Sequence, residues 1–102
     1  MQNISTEFRR GILFIRLRRR LEYSKLEKEI NYFQDEIGIK IIVLNISNLT
    51  YFSLKDIKNI LEFRKRILKK KNLLIICDTR SNNVFFRKIP RIERETDAFS
   101  LI

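Results

Sequence analysis

The sequence has no histidine, one cysteine, two glycines and one proline among its 102 residues. Without histidine, and with Cys77 alone, it lacks the donors of most protein metal sites and the usual nucleophile–base pairs. Gly11 and Gly38 are too few and too far apart for a glycine-rich phosphate loop. A metal site built from carboxylates alone stays open, although the twelve acidic residues are scattered. We therefore predict a protein that is not an enzyme and has no cofactor and no metal site.

Long apolar runs are also missing. None approaches the roughly 20 residues that a membrane-spanning helix needs. The first residues, MQNIS, lack the charged start and apolar core of a signal peptide. Cys77 follows the apolar residues LLII, which predicts a small buried hydrophobe rather than a reactive thiol. We expect one cytoplasmic domain over residues 1–102, because this length and an apolar content of 44% suffice for one core.

Positive charge is abundant, with a formal net charge of +10. Residues 55–71 carry eight basic side chains against two acidic ones, and residues 9–20 carry six arginines and no acid. Such density suits nucleic acid, anionic lipid or an acidic protein surface. We favour a solvated surface, because lysines near a helix C-terminus are favoured by the helix dipole and no aromatic residue interleaves with residues 64–71.

The first half of the chain predicts a hairpin and a helix. Ile4, Thr6 and Phe8 alternate with polar residues, and an apolar run at 12–17 follows the turn at 9–11. Ser24 and Glu27 have the spacing of a capping box. The buried face of the helix is predicted from apolar residues at i, i+4, i+7 and i+11: Leu26, Ile30, Phe33 and Ile37. Gly38 is placed to end this helix in a left-handed conformation.

The second half predicts two strands buried on both faces, at 39–45 and 73–77, joined by a helix. The inward face of that helix is predicted to contain Ile57, Ile60, Leu61, Ile67 and Leu68. A short third helix is predicted, capped by residues 81–83, carrying Val84, Phe85 and Ile89 and ended by Pro90, and a last strand at 99–102. The order ββαβαβα(β) predicts an α/β fold: a mixed sheet of four to five strands with helices packed against it.

Residues 40–61 are the most informative segment. A buried strand is predicted to give way to a short polar-aromatic loop, and a helix then opens at Ser53, with Asp56 completing a capping box. Loops at the carboxyl ends of parallel strands are where open α/β sheets make functional contacts. We therefore place the candidate site at this strand–helix junction.

The element order and this junction resemble a STAS domain, the fold of bacterial anti-sigma factor antagonists. Family members have Gly-x-Leu-Asp before the first helix, where this chain has Arg19-Arg20-Leu21-Glu22. The family's buried strand ends in an aromatic or aliphatic pair followed by Asp-Ser-Ser-Gly. Here the pair is Tyr51-Phe52, and the four signature positions hold SLKD, residues 53–56. The resemblance covers essentially the whole chain, through element order and spacing more than through motif identity.

The resemblance implies a regulatory switch that this sequence has altered. In family antagonists an anti-sigma kinase phosphorylates the second serine of the signature. The phosphorylated antagonist then dissociates from that kinase. That position is Lys55, which has no hydroxyl, and Ser53 is explained as the helix cap. Asp56 is a poor substitute for the phosphate, because it carries one negative charge where a phosphate carries nearly two. Lys55 beside it also offsets that charge.

We predict a protein-binding regulator resembling an anti-sigma factor antagonist, without the phosphoserine switch. The partner, in this prediction an anti-sigma factor kinase, is bound by the junction through seven residues: Asn48, Tyr51, Ser53, Leu54, Lys55, Asp56 and Lys58. Phe52 is expected to pack on the core. Two alternatives remain: a STAS subunit of a larger assembly, such as a lipid-transport ATPase complex or a stress-signalling particle, and a basic nucleic-acid-binding domain.

Overall fold

The computed structural model describes residues 3–80 and 86–101. Five strands form one mixed sheet in the order β1-β2-β3-β4-β5. Their bounds are β1, Ile4–Arg9; β2, Ile12–Arg20; β3, Ile41–Tyr51; β4, Leu73–Cys77; and β5, Arg91–Ile92. The helices are α1, Tyr23–Tyr32; a π-helical turn, Phe33–Ile37; α2, Leu54–Lys69; and a 3-10 helix, Glu95–Leu101. The predicted α/β fold with a mixed sheet is confirmed.

Strand direction follows from the connections. The hairpin turn at Arg10 and Gly11, both with positive φ, makes β1 antiparallel to β2. The crossovers through α1 and α2 make β2, β3 and β4 parallel, and β4 is also parallel to β5. The carboxyl ends of four strands therefore lie at one edge of the sheet, which we call the carboxyl edge.

The two faces of the sheet are covered differently. One face packs against α1 and α2 and buries Leu13, Ile15, Ile42 and Leu44 together with the helix residue Phe63. The other face has a smaller core that is closed by the 3-10 helix: it comprises Ile12, Phe14, Val43, Ile75, Cys77, Ile92 and Ala98. Both sides of β2, β3 and β4 are apolar because each face needs its own core.

Helix α1 departs from its predicted boundaries. It begins at Tyr23 rather than at a Ser24 cap, and the residue in the cap position, Glu22, makes no side-chain capping bond. Its carboxylate is instead bonded to Asn3 at 2.8 Å and to Lys25 at 2.9 Å. The chain then widens into the π-turn, which Gly38 ends at φ 72° as predicted. Because of that wider turn, Ile37 is exposed rather than inward.

Helix α2 follows the sequence pattern more closely. Ile57, Ile60 and Ile67 are buried as predicted, and Leu61 is half-buried. Leu68 is 42% exposed, so its predicted inward position is wrong, and Phe63 takes a core place that the pattern did not identify.

The C-terminal part differs most from the sequence pattern. The predicted cap at 81–83, with Val84 and Phe85, lies outside the described residues, and the chain from Phe86 to Lys88 forms a turn that buries Ile89. Residues 99–101 belong to the 3-10 helix rather than to a strand, and the fifth strand is Arg91–Ile92. Two residues are too few for a periodic signal, so this strand could not be read from the sequence.

Candidate functional site at the carboxyl edge

The strand–helix junction lies at the carboxyl edge, between the end of β3 and the start of α2. Only Phe52 and Ser53 connect the two elements. The Ser53 hydroxyl accepts a hydrogen bond from the Asp56 backbone N–H at 3.2 Å, and the Asp56 carboxylate accepts one from the Ser53 backbone N–H at 2.9 Å. The predicted capping box is therefore formed in full. It fixes the direction in which the helix leaves the sheet.

The predicted polar-aromatic loop before the helix is wrong. Strand β3 does not stop near Asn45 but continues to Tyr51, paired with β2. Its register shifts twice, and each shift leaves one extra residue on β3. Because of the first of these β-bulges, Ile46 and Leu49, three residues apart, both enter the helix-covered core, which strict alternation does not allow. The period-2 pattern is broken at the bulges, so the sequence there resembles a loop.

The predicted site residues divide by position. Tyr51, Ser53 and Asp56 line one shallow depression at the surface. Leu54, Lys55 and Lys58 are exposed on the first turns of α2, and Asn48 is exposed on β3 opposite Arg18. The structure thus places all seven at or near one edge, with three in a shared concavity.

The two aromatic residues have different environments. Phe52 is half-buried and packs on the helix-side core, with its ring 5.9 Å from that of Phe86. Tyr51 is 68% exposed, and Leu54, just beyond the serine cap, is 75% exposed. Exposed aromatic and apolar side chains near one another are a common feature of protein contact surfaces.

The arginines at the end of β2 also belong to this surface. In the sequence, residues 9–20 form a single basic segment. Strand β2 separates that segment into two groups about 25 Å apart, at roughly 3.3 Å per residue. Arg9 and Arg10 are at the hairpin, and Arg9 lies 5.1 Å above the ring of Phe99. Arg20 pairs with Tyr51 and lines the same depression. The parallel pairing of β2 and β3, which the crossover predicts, is the sequence signal that places Arg20 beside Tyr51.

Arg19 adds a constrained backbone to this arginine group. Its φ is +65°, and with Asn3, Arg20 and Tyr51 it lines a second hollow beside the first. A non-glycine residue with positive φ is held there by its surroundings. Arg18, Arg19 and Arg20 are exposed and form no ion pair within residues 3–80 and 86–101. The junction is therefore flanked by solvated positive charge.

An ion pair between the exposed Arg80 and the buried Asp78 lies beside the long end of β3. Strand β4 ends at Cys77, opposite Asn45, so β3 continues past it with backbone carbonyls that need partners. Arg80 donates to the carbonyls of Ile46 at 2.9 Å and Leu49 at 3.4 Å. Its Nε also donates to the Asp78 carboxylate at 2.9 Å, and the Asp78 side chain is 1% exposed. No local pattern predicts the contact of Arg80 with β3, because only the fold brings residues 46–49 and Arg80 together.

A second polar cluster lies on the opposite face of the sheet. The Arg16 guanidinium donates to Glu95 at 2.7 Å and to Glu7 at 2.6 Å, and Asn45 donates to Glu95 at 2.8 Å. The hydrogen bond from Arg16 lowers the pKa of Glu95 below its usual value, and the same bond raises the pKa of Arg16. All these groups are bonded to one another, so the cluster anchors the 3-10 helix to the sheet.

Cys77 is buried as predicted, at 1% exposure. Burial, followed by the charges of Glu95, Asp78 and Asp97, raises the pKa of its thiol to about 11. Within residues 3–80 and 86–101, histidine, cysteine and acidic side chains form no cluster that could hold a metal ion. In the same part of the chain, no helix is long and apolar enough to cross a membrane.

Solved structures share this architecture. The anti-sigma factor antagonist SpoIIAA, in its unphosphorylated form, superimposes with a TM-score of 0.74 at 15% identity, covering 96% of both chains. The fold is STAS-like. The protein TM1081 aligns with a TM-score of 0.67 at 12% identity, covering 93% of this chain and 84% of its own. Mglu aligns with a TM-score of 0.58 at 19% identity. The alignment covers 72% of this chain and 19% of the Mglu chain.

No protein-family model and no curated protein matches the sequence. The likeness is therefore one of fold alone, at 12–19% identity. In this chain the junction carries the exposed apolar side chains of Tyr51 and Leu54, the basic Lys55 and Lys58, and the capping pair Ser53 and Asp56.

Proposed function

We propose that residues 1–102 act as one cytoplasmic STAS-like domain, a non-enzymatic regulator that binds a protein partner as an anti-sigma factor antagonist does. It uses no cofactor. The binding surface is the junction at residues 48–58, and the partner is an anti-sigma factor of the kinase type. The similarity of fold to SpoIIAA supports the class of function, and the exposed side chains of the junction support the position of the surface.

The observation that carries this proposal is the exposure of Tyr51 and Leu54 on either side of the serine cap, at 68% and 75%. A leucine exposed to that degree contributes little to folding. When a partner covers it, burying most of a leucine side chain is worth about 1.5–3 kcal/mol. The capping box fixes the backbone between the two residues before binding, so less backbone entropy is lost on association.

The junction binds in one state, without a phosphoserine switch. Lys55, which resemblance to the family places at the phosphorylated position, is exposed and has no hydroxyl. The neighbouring hydroxyl, that of Ser53, is engaged in the capping box with Asp56. A phosphate on Ser53 would lie beside the Asp56 carboxylate, which like-charge repulsion disfavours. The proposal is therefore a constitutive binder.

Isothermal titration with the anti-sigma factor kinase of the native host tests the surface. Leu54→Asp and Tyr51→Ala are expected to weaken binding at least tenfold, because each removes an apolar contact at the centre of the surface. Matched controls are Leu101→Asp and Tyr32→Ala, which change residues of the same type that are 55% and 54% exposed elsewhere. Equal losses in variants and controls, or no binding by the wild-type protein, would overturn the proposal.

A further inference from the structure

Helix α2 presents two different flanks on either side of its buried face. On the flank that faces α1, basic side chains are neutralised: Arg66 forms an ion pair with Glu27 of α1, and Lys70, just beyond α2, pairs with Asp35 at 3.3 Å. These pairs link α2 to α1 and to the π-turn, so their charge is used within the fold.

The opposite flank carries an exposed stripe with a seven-residue repeat. Leu54, Leu61 and Leu68 recur at this spacing, which returns to the same side of an α-helix every two turns. Leu54 is 75% and Leu68 42% exposed, and Leu61 between them is half-buried. Lys58 and Lys65 lie between the leucines. The stripe is about 21 Å long, from 1.5 Å per residue.

A groove of about 680 Å³ runs between this flank and the turn that starts at Phe86. Its cationic lining residues come from both sides: Lys58, Arg64, Lys65, Arg87 and Lys88. Leu61 supplies apolar surface, and Glu62 is the single acid of the described lining. Glu62 is paired with Lys65 at 3.3 Å, so the described lining keeps four cations that form no ion pair within residues 3–80 and 86–101.

The groove is continuous with the junction. Lys58 belongs to the groove lining and is also one of the seven predicted junction residues. Leu54 stands one helical turn before it and on the same side of α2. A partner that covers Leu54 can therefore extend along this flank of α2 into the groove. One continuous segment of the partner can contact both the junction and the groove.

We propose that this groove binds an acidic amphipathic helix of a protein partner. This inference rests on the proposed function and names the chemistry of the partner. A helix is the fitting shape, because leucines repeated every two turns match the apolar stripe of a second helix. Glutamates or aspartates beside that stripe meet Lys58, Arg64, Arg87 and Lys88, and this complementarity selects an acidic segment. Single-stranded nucleic acid fits less well, because no aromatic ring of the described lining is available for base stacking.

The probe is a synthetic 15-residue peptide with leucine at positions 1, 4, 8, 11 and 15 and glutamate elsewhere. Binding is followed by amide chemical-shift changes of the protein and by fluorescence anisotropy. The groove variant reverses three charges, Lys58→Glu, Arg87→Glu and Lys88→Glu. The matched control reverses three exposed charges away from α2, Lys28→Glu, Lys40→Glu and Arg94→Glu, which gives the same net charge. A scrambled peptide of the same composition and a 15-base oligonucleotide complete the set.

We expect shift changes concentrated on the groove and α2, at least tenfold weaker binding by the groove variant, and less than a threefold change in the control. Absence of peptide binding, equal losses in both variants, or equal affinity for the scrambled peptide would overturn the proposal. So would tighter groove binding of the oligonucleotide at physiological salt. The assay contains no anti-sigma factor, so a failure here leaves the Leu54 test intact, and a failure of that test leaves this one intact.

Discussion

Replacing Ser53 with alanine tests the role given to this residue as a helix cap. The substitution removes the hydroxyl that accepts the Asp56 N–H at 3.2 Å and leaves that donor without its side-chain partner. Loss of an N-terminal cap costs about 1 kcal/mol, within a range of roughly 0.5–2 kcal/mol. We expect Ser53→Ala to lower the free energy of unfolding by about 1 kcal/mol, and the melting temperature by roughly 4–8 °C.

Two further variants separate capping from other effects. Ser53→Asn keeps a good cap without adding a charge beside Asp56, because asparagine and serine are nearly equivalent there, so its stability should stay within about 0.5 kcal/mol of wild type. Ser24→Ala is the matched control: Ser24 is an exposed serine in the first turn of α1 that does not occupy the cap position. Alanine has the higher helix propensity, so this change should be neutral or stabilising by a few tenths of a kcal/mol, roughly.

The assay is urea unfolding followed by circular dichroism, with all variants measured at pH 7. The expected order of stability is Ser24→Ala at or above wild type, Ser53→Asn near wild type, and Ser53→Ala clearly below. If Ser53→Ala were as stable as wild type, the hydroxyl would not be acting as a cap. Ser53 would then have another role than capping α2.

Three other predictions concern the core and the polar cluster. Phe63→Ala should destabilise the fold by about 3–5 kcal/mol in urea unfolding, because Phe63 is 2% exposed, whereas Leu68→Ala should cost less than about 1 kcal/mol. The hydrogen bond from Arg16 lowers the pKa of Glu95 in the folded protein below 4.5, its pKa in the unfolded chain. The ionised Glu95 therefore stabilises the fold fully above pH 4.5, and this stabilisation is lost as the pH falls through the folded-state pKa. Glu95→Gln should therefore flatten the fall in stability below pH 4.5 in acid titrations, and an unchanged profile would contradict the assignment. With a pKa of about 11, Cys77 should be about 0.1% thiolate at pH 8, so Ellman's reagent should label it only after unfolding.

Much of the fold was predictable because local pattern and tertiary structure agree. The hairpin, β4, the capped start of α2 and the left-handed end at Gly38 each follow from residues adjacent in sequence. Parallel pairing followed from the crossovers. In these elements the apolar spacing matches the face that the fold buries, so one signal was enough.

The errors occur where a distant contact decides the structure. The bulged end of β3 depends on Arg80, thirty-one residues beyond Leu49, and no local period shows it. The residues at 99–101 favour a strand by composition, but Phe99 packs on the second core from a 3-10 helix, with its ring 5.7 Å from that of Phe14. The capped helix start was predicted from local residues, whereas placing the arginines beside it requires the parallel pairing of β2 and β3 to be carried through to the strand ends.

The central claim is that the junction binds an anti-sigma factor in a single state, without a phosphoserine switch. The most direct measurement is to incubate the protein with the anti-sigma factor kinase of its host and ATP, then to record the intact mass and the affinity of the complex. The account predicts an unmodified mass and the same affinity before and after incubation. A mass increase of one phosphate located on Ser53, together with release of the complex, would contradict it.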